Sequence, residues 1–157
     1  MPVTEQAVVN QIAAQERAIA SVRSSFDYAQ NPNTLADAQL PAVVHIVSNF
    51  TSELRGHHNL WRNSYNVLSI LFVKPRLLDG GQLKFLENEA IPFGEKWRTR
   101  FQTDSVIDTL FSQLSNTAKV FLVSGEYGAG GEMLTYGGRE FFGWVFKFQI
   151  DEWIAQN

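Results

Sequence analysis

From Phe141 to Ile150 the chain alternates. Phe142, Trp144, Phe146, Phe148 and Ile150 recur at every second position, while Arg139, Lys147 and Gln149 fall on the other set. That period predicts a strand with one buried and one wetter face. Gly137-Gly138 separates it from Leu134-Thr135-Tyr136. A Gly-Gly pair supplies the positive φ angles of a two-residue hairpin turn. If Tyr136 pairs with Arg139, Leu134 faces Phe141, and Met133 faces Phe142 on the aromatic side. This strand is expected to form the floor of the core.

The N-terminus follows a helical period. Val8, Ile12, Ile19, Val22 and Phe26 form one stripe, with Gln15 in the missing position, and Gln6, Asn10, Ala14, Arg17 and Ser21 lie opposite. With Thr4 as cap, the pattern predicts an amphipathic helix of about five to six turns, packed on a sheet. Asn31-Pro32-Asn33 is expected to start a loop. Leu40 to Phe50 then reads as a strand with Pro41 at its first position; Val43, His45 and Val47 share one face, Val44 and Ile46 the other. Residues 49–59 are polar, include Gly56, and read as a connection. Leu60 to Val73 reads as a long strand. Its second half, from Val67, is apolar on both faces, as in a central strand covered by helices on one side or by a partner subunit.

Lys74-Pro75-Arg76 ends that strand, and Asp79-Gly80-Gly81 makes a turn. Leu83 to Phe101 turns helical, with Pro92 opening a helical turn and Phe93, Trp97 and Phe101 at successive fours. Asp104 is placed to cap a further helix with a Val106, Ile107, Leu110, Phe111, Leu114 stripe. Val120 to Val123 is a short strand, and residues 124–131 form a glycine-rich connection into the final hairpin. The order predicts an α+β fold: a largely antiparallel sheet packed by an N-terminal helix and a central helical block, with a C-terminal Gly-Gly hairpin.

Composition narrows the function classes. At 157 residues the chain is most simply one domain, 1–157. Such a length buries enough surface to fold without staples. The net charge of -3 argues against an extended basic groove, and so against specific nucleic-acid binding. The absence of cysteine excludes disulfide and thiolate chemistry. No apolar run reaches the roughly 18 residues of a membrane span. The N-terminus carries no basic region followed by an apolar block, so no secretory signal is expected.

The residues that invite chemistry do not converge. The glycines at 125, 128, 130 and 131 are followed by Glu132 and Met133 and then a strand, whereas phosphate loops need a helix there. His57 and His58 are adjacent and diverge on a helix or a strand. No short spacing adds the further ligands a metal needs. His45 reads as a core or edge histidine. Glu87, Glu89 and Glu95 read as a solvated face. Ser64 and Ser124 lack a nucleophile-elbow context. Arg98 and Arg100 flank Trp97, which suits long side chains around a buried ring better than base stacking. Neither catalysis nor a cofactor is expected.

Three stretches together resemble the tail-terminator proteins of long-tailed bacteriophages. They are the N-terminal helix followed by Leu40-Pro41-Ala42-Val43-Val44, the stretch Ala90-Ile91-Pro92-Phe93-Gly94-Glu95-Lys96-Trp97-Arg98, and the closing Tyr136-Gly137-Gly138-Arg139-Glu140-Phe141-Phe142-Gly143 with its strand into Asp151. The loops at 49–59 and 77–82 are less family-like. The resemblance implies a structural virion protein. It would form a hexameric ring that caps the tail-tube protein and docks it to the head connector or neck protein, with the genome passing through.

The residues expected at the subunit interface are Leu54, His57, His58, Tyr127, Gly128 and Gly130. Tyr127 offers broad contact area and one polar handle between glycines. Two other readings stay open. One is a head-completion or neck protein. The other is a small-ligand-binding or enzymatic α+β domain with its pocket against the aromatic face.

Overall fold

The computed structural model describes residues 5–27, 30–55, 60–75, 91–101, 118–126 and 132–155. Within them the fold is α+β. Helices α1 (Glu5–Arg17) and α2 (Ile91–Phe101) accompany strands β1 (Ser24–Ser25), β2 (Ala42–Arg55), β3 (Leu60–Pro75), β4 (Ala118–Glu126), β5 (Glu132–Tyr136) and β6 (Arg139–Ala155). The sheet runs β1-β2-β3-β6-β4, with β5 also on β6. It is mixed but mostly antiparallel, since β1 alone runs parallel to its neighbour. β3 and β6 are its spine, paired from Leu60↔Ala155 to Pro75↔Phe141. On the far side of β6, β5 lies along Arg139 to Gly143 and β4 along Lys147 to Ile154.

The period-two pattern of β6 is what sorts the core. Phe142, Trp144, Phe146, Phe148 and Ile150 are all buried on the face that α1 and α2 cover. α2 supplies Phe93, Trp97 and Phe101 at successive fours, and Trp97 lies flat on Phe146, with centroids 4.5 Å apart. Both faces of β3 are covered within the chain. Tyr65, Val67 and Leu71 join the helix-side core, while Phe72 joins a smaller core with Leu35, Leu40, Ala42, Val44 and Phe141. On the second face of β3 the loop carrying Leu35 and Leu40, rather than α2, covers Phe72, while Leu68 and Ile70 stay half-buried.

β5 and β6 meet at Gly137-Gly138, with φ values of 57° and 80°. Tyr136 pairs with Arg139, Leu134 with Phe141 and Met133 with Phe142. The turn holds the covering loop in place. Tyr136 donates its hydroxyl to the Pro32 carbonyl, and Arg139 donates to the Leu35 carbonyl at 3.1 Å and to Asp37 at 2.8 Å.

Several element boundaries differ from the sequence expectations. α1 ends at Arg17 rather than running through Phe26. Its end is tightened by short bonds from Ala18 to Gln15 and from Ile19 to Glu16, and Ser21 takes a positive φ of 83°. The chain then turns back, so Ser24-Ser25 pairs beside β2 and Phe26 packs against the smaller core. The apolar stripe continued past Arg17 because Ile19 and Val22 pack on the same core from a turn instead of a helix.

A second difference concerns residues 49–55, read as a connection but forming the distal half of β2. Two residues, 49 and 50, oppose Tyr65 in a bulge where Asn49 takes φ 55°. Beyond it the strand continues from Thr51↔Ser64 to Arg55↔Leu60. These positions are polar because both faces of the ribbon lie open to solvent, which erases the hydrophobic alternation. Likewise β2 begins after Pro41, and β4 runs on through Ser124-Gly125-Glu126, where the sequence predicts a connection. The Thr4 cap, the turn at 79–81, the helical stretch 83–90 and the Asp104 helix lie outside the described residues.

Candidate functional site

The densest polar cluster among the described residues is sealed inside the helix side of the fold. α1 contributes Glu16, which is fully buried; β1 contributes Ser25, β2 His45 and α2 Trp97. One Glu16 oxygen accepts from the Ser25 hydroxyl at 3.0 Å and lies 2.7 Å from His45 Nε2. The other accepts from Trp97 Nε1 at 3.3 Å. His45 Nδ1 lies 2.8 Å from the Phe26 carbonyl, an acceptor only, so Nδ1 carries a proton. Burial by itself lowers the His45 pKa. The charge and hydrogen bond of Glu16, with the Phe26 carbonyl, outweigh burial and the nearby Arg17, so the net shift is upward. The imidazolium is thus favoured, and the cluster is a buried ion pair with its remaining donors used.

Its order excludes a triad. In nucleophilic catalysis the imidazole stands between hydroxyl and carboxylate. Here the Ser25 hydroxyl donates to the carboxylate, and His45 turns its other nitrogen to a backbone carbonyl. What the cluster does is tie four elements together. Arg17 extends it by donating Nε to the Ser25 carbonyl at 2.9 Å and pairing with Asp27.

A second polar knot lies on the opposite face. Asp151, nearly buried, accepts from Ser64 Oγ at 2.6 Å and from Arg62 at 2.6 and 2.9 Å, while the Arg62 guanidinium sits over Trp153. Ser64 is therefore held by a carboxylate. Described residues line clefts in at least two places. One of about 480 Å³ lies where Ile19 and Ala20 meet α2 at Pro92, Lys96 and Arg100. One of about 200 Å³ lies between β2 and the β5 end of the sheet, lined by Asn31, Ile46, Phe72 and Tyr136.

Of the expected interface residues, Leu54 is described and sits half-exposed near the tip of the β2–β3 ribbon. His57, His58, Tyr127, Gly128 and Gly130 lie outside the described residues. Leu54 has company that the sequence reading did not single out. Ile46 is 49% exposed, Phe50 51% and Leu54 54%, all on β2. Phe50 stacks on Tyr65 at 5.9 Å. β1 covers β2 only at Ala42 and Val43, and Asn31 Nδ2 caps the His45 carbonyl at 2.9 Å. From residue 46 to 55 the outer edge of β2 has no strand beside it among the described residues.

The helical stripe puts Gln15 in its gap, whereas the structure turns Glu16 inward. Its spacing of four from Ile12 was the available signal. Trp97 and His45 lie inside, as expected for a buried ring and a core histidine, and Glu95 is exposed. Glu87 and Glu89 lie outside the described residues. No protein-family model and no curated protein matches the chain.

Proposed function

We propose that this chain is a structural virion protein, a tail terminator that closes into a ring, caps the tail tube and docks it to the head connector or neck protein. The observation that carries the reading is the outer half of β2. Half-exposed Ile46, Phe50 and Leu54 stand beside a strand edge that has no neighbouring strand among the described residues. Natural sheets normally blunt such an edge, and an apolar one left open suits pairing with another chain. A contact of this kind between unlike surfaces must close into a ring to avoid open filaments. The number of subunits, six, and the tube and connector partners come from the family resemblance. So does the assignment of the central helical block and the Gly-Gly hairpin as family elements. In this reading the protein acts by shape, without cofactor or catalysis, with the genome threading its bore.

Native mass spectrometry, followed by polymerisation of a tail-tube protein with and without this chain, tests the reading. The expected result is a closed ring that arrests tube growth. A protein that stays monomeric at high concentration would overturn it, and a ring that binds connector but leaves tubes growing would make it a neck protein.

A further inference from the structure

The sheet has two ends, and their relation specifies how a second copy would sit. At one end β2 is open from residue 46 to 55; at the other, no strand lies beyond β4 among the described residues. Pairing alternates antiparallel through β2, β3, β6 and β4, so β2 and β4 run in opposite directions within one subunit. Rotation about a ring axis leaves the axial direction of every strand unchanged. A neighbour generated by such a rotation therefore brings its β4 antiparallel to β2 when the strands run along that axis.

The register follows the rows of the sheet. Glu53 pairs with Arg62, Arg62 with Trp153 and Trp153 with Lys119. The next row is Leu54, Trp61, Ile154 and Ala118. Continuing each row into the next copy places Glu53 opposite Lys119, a residue of opposite charge at the same level. The alternative of two β2 edges meeting about a two-fold axis has a different consequence. It brings the Glu53-Leu54-Arg55 segment against itself and leaves β4 bare.

We propose that the open edge of β2, residues 51–54, takes β4 of a second copy of this chain as an antiparallel strand, with Glu53 opposite Lys119 of that copy. Each junction would then carry one sheet into the next, so that the closed ring has a continuous wall of strands. Phe50 and Leu54 lie on the helix-side face of the ribbon, since Phe50 stacks on Tyr65 and Leu54 pairs with Trp61. They would be the apolar residues that the added subunit shields. This proposal rests on the ring reading and specifies its contact.

The natural chain has no cysteine, which makes cross-linking clean. The test is oxidation of three variants: Glu53→Cys, Lys119→Cys and the double variant. The expected result is that each single variant stays uncross-linked, while the double variant gives a ladder of covalent multimers ending at the ring number seen by native mass spectrometry. A second arm uses charge. Glu53→Lys should weaken the ring at least tenfold in subunit concentration while leaving the thermal transition of the subunit in place, and adding Lys119→Glu should restore assembly. A ring that forms without a ladder or charge rescue would overturn the strand pairing while leaving the ring reading intact. Dimers from Glu53→Cys alone would replace it with two-fold β2 pairing. A chain that never assembles would sink both.

Discussion

His45 Nε2 lies 2.7 Å from a carboxylate oxygen of Glu16, and neither side chain exposes any surface. One comes from α1 and the other from β2, 29 residues apart in the chain. The contact therefore fixes how the N-terminal helix docks on the sheet. A mismatch of register there would strand a buried charge.

Removing either partner alone leaves the other buried without its counter-charge. Glu16→Leu or His45→Leu should each lower unfolding free energy by about 3–5 kcal/mol. The double Leu variant should cost much less than the sum, since two apolar side chains desolvate cheaply there. Urea denaturation of the four proteins in the cycle measures this. Additive losses would mean that the two side chains act through packing with other neighbours.

The same pair gives stability a pH dependence of known sign. Its environment raises the His45 pKa in the folded protein above the ordinary value of 6.5. Protonation is thus tighter in the folded than in the unfolded state. The stabilisation is complete below the unfolded value and is lost as pH rises through the folded one. Urea midpoints from about pH 6 to about pH 9 should fall with pH in the natural protein. His45→Gln should flatten that slope, and its deficit relative to the natural protein should shrink as pH rises. An unchanged slope would assign the dependence to another group.

How much of this was legible in the sequence differs by element. β6 was clear because Phe142 to Ile150 alternate without a break, and the Gly137-Gly138 turn sets its register with β5. β2 was half legible. Its inner half reads as an apolar run because both faces are buried, Val43 in the larger core and Ala42 and Val44 in the smaller, whereas Thr51 to Arg55 carry little hydrophobic signal since neither face is covered. α1 was overextended because Ile19 and Val22 reach the same core from a turn. The Glu16–His45 pair was invisible as a pair. A buried ion pair writes two polar residues into distant segments, and nothing in either segment names the other.

Two buried hydroxyls make the opposite case. Ser69 Oγ and Tyr65 Oη are buried on β3 without a hydrogen-bond partner among the described residues. The Tyr65 pKa is raised, first by burial and then by the charges of Glu152 and Glu5, so the phenol stays neutral. An unsatisfied buried polar group costs about 1–3 kcal/mol, and replacing it by an apolar isostere is neutral or favourable. Ser69→Ala and Tyr65→Phe should therefore leave thermal stability unchanged or raise it, as differential scanning calorimetry would report. A clear loss for either would point to a bound water at that hydroxyl.

The final prediction concerns how α2 seats on the sheet. Gly94 stands over the indole of Trp144, where an added Cβ would lie 2.5 Å from Cη2 and 2.9 Å from Cζ2. Trp144 is itself pinned by stacking on Phe146 at 5.5 Å, so it has little room to swing away. Glycine inside a helix ordinarily costs about 0.5–1 kcal/mol relative to alanine, so Gly94→Ala would stabilise a helix that stood free. Here overpacking, typically about 1–3 kcal/mol, opposes that gain and exceeds it. Gly94→Ala should destabilise the protein. Trp144→Phe, which removes the clashing ring atoms, should cost stability in the natural background and much less in the Gly94→Ala background. Chemical denaturation of the cycle gives a coupling energy, and its sign decides. A favourable coupling means that Gly94 exists to admit the indole. Zero coupling, with Gly94→Ala stabilising, would mean that α2 sits higher on the sheet and that the close approach of helix to Trp144 does not define the packing.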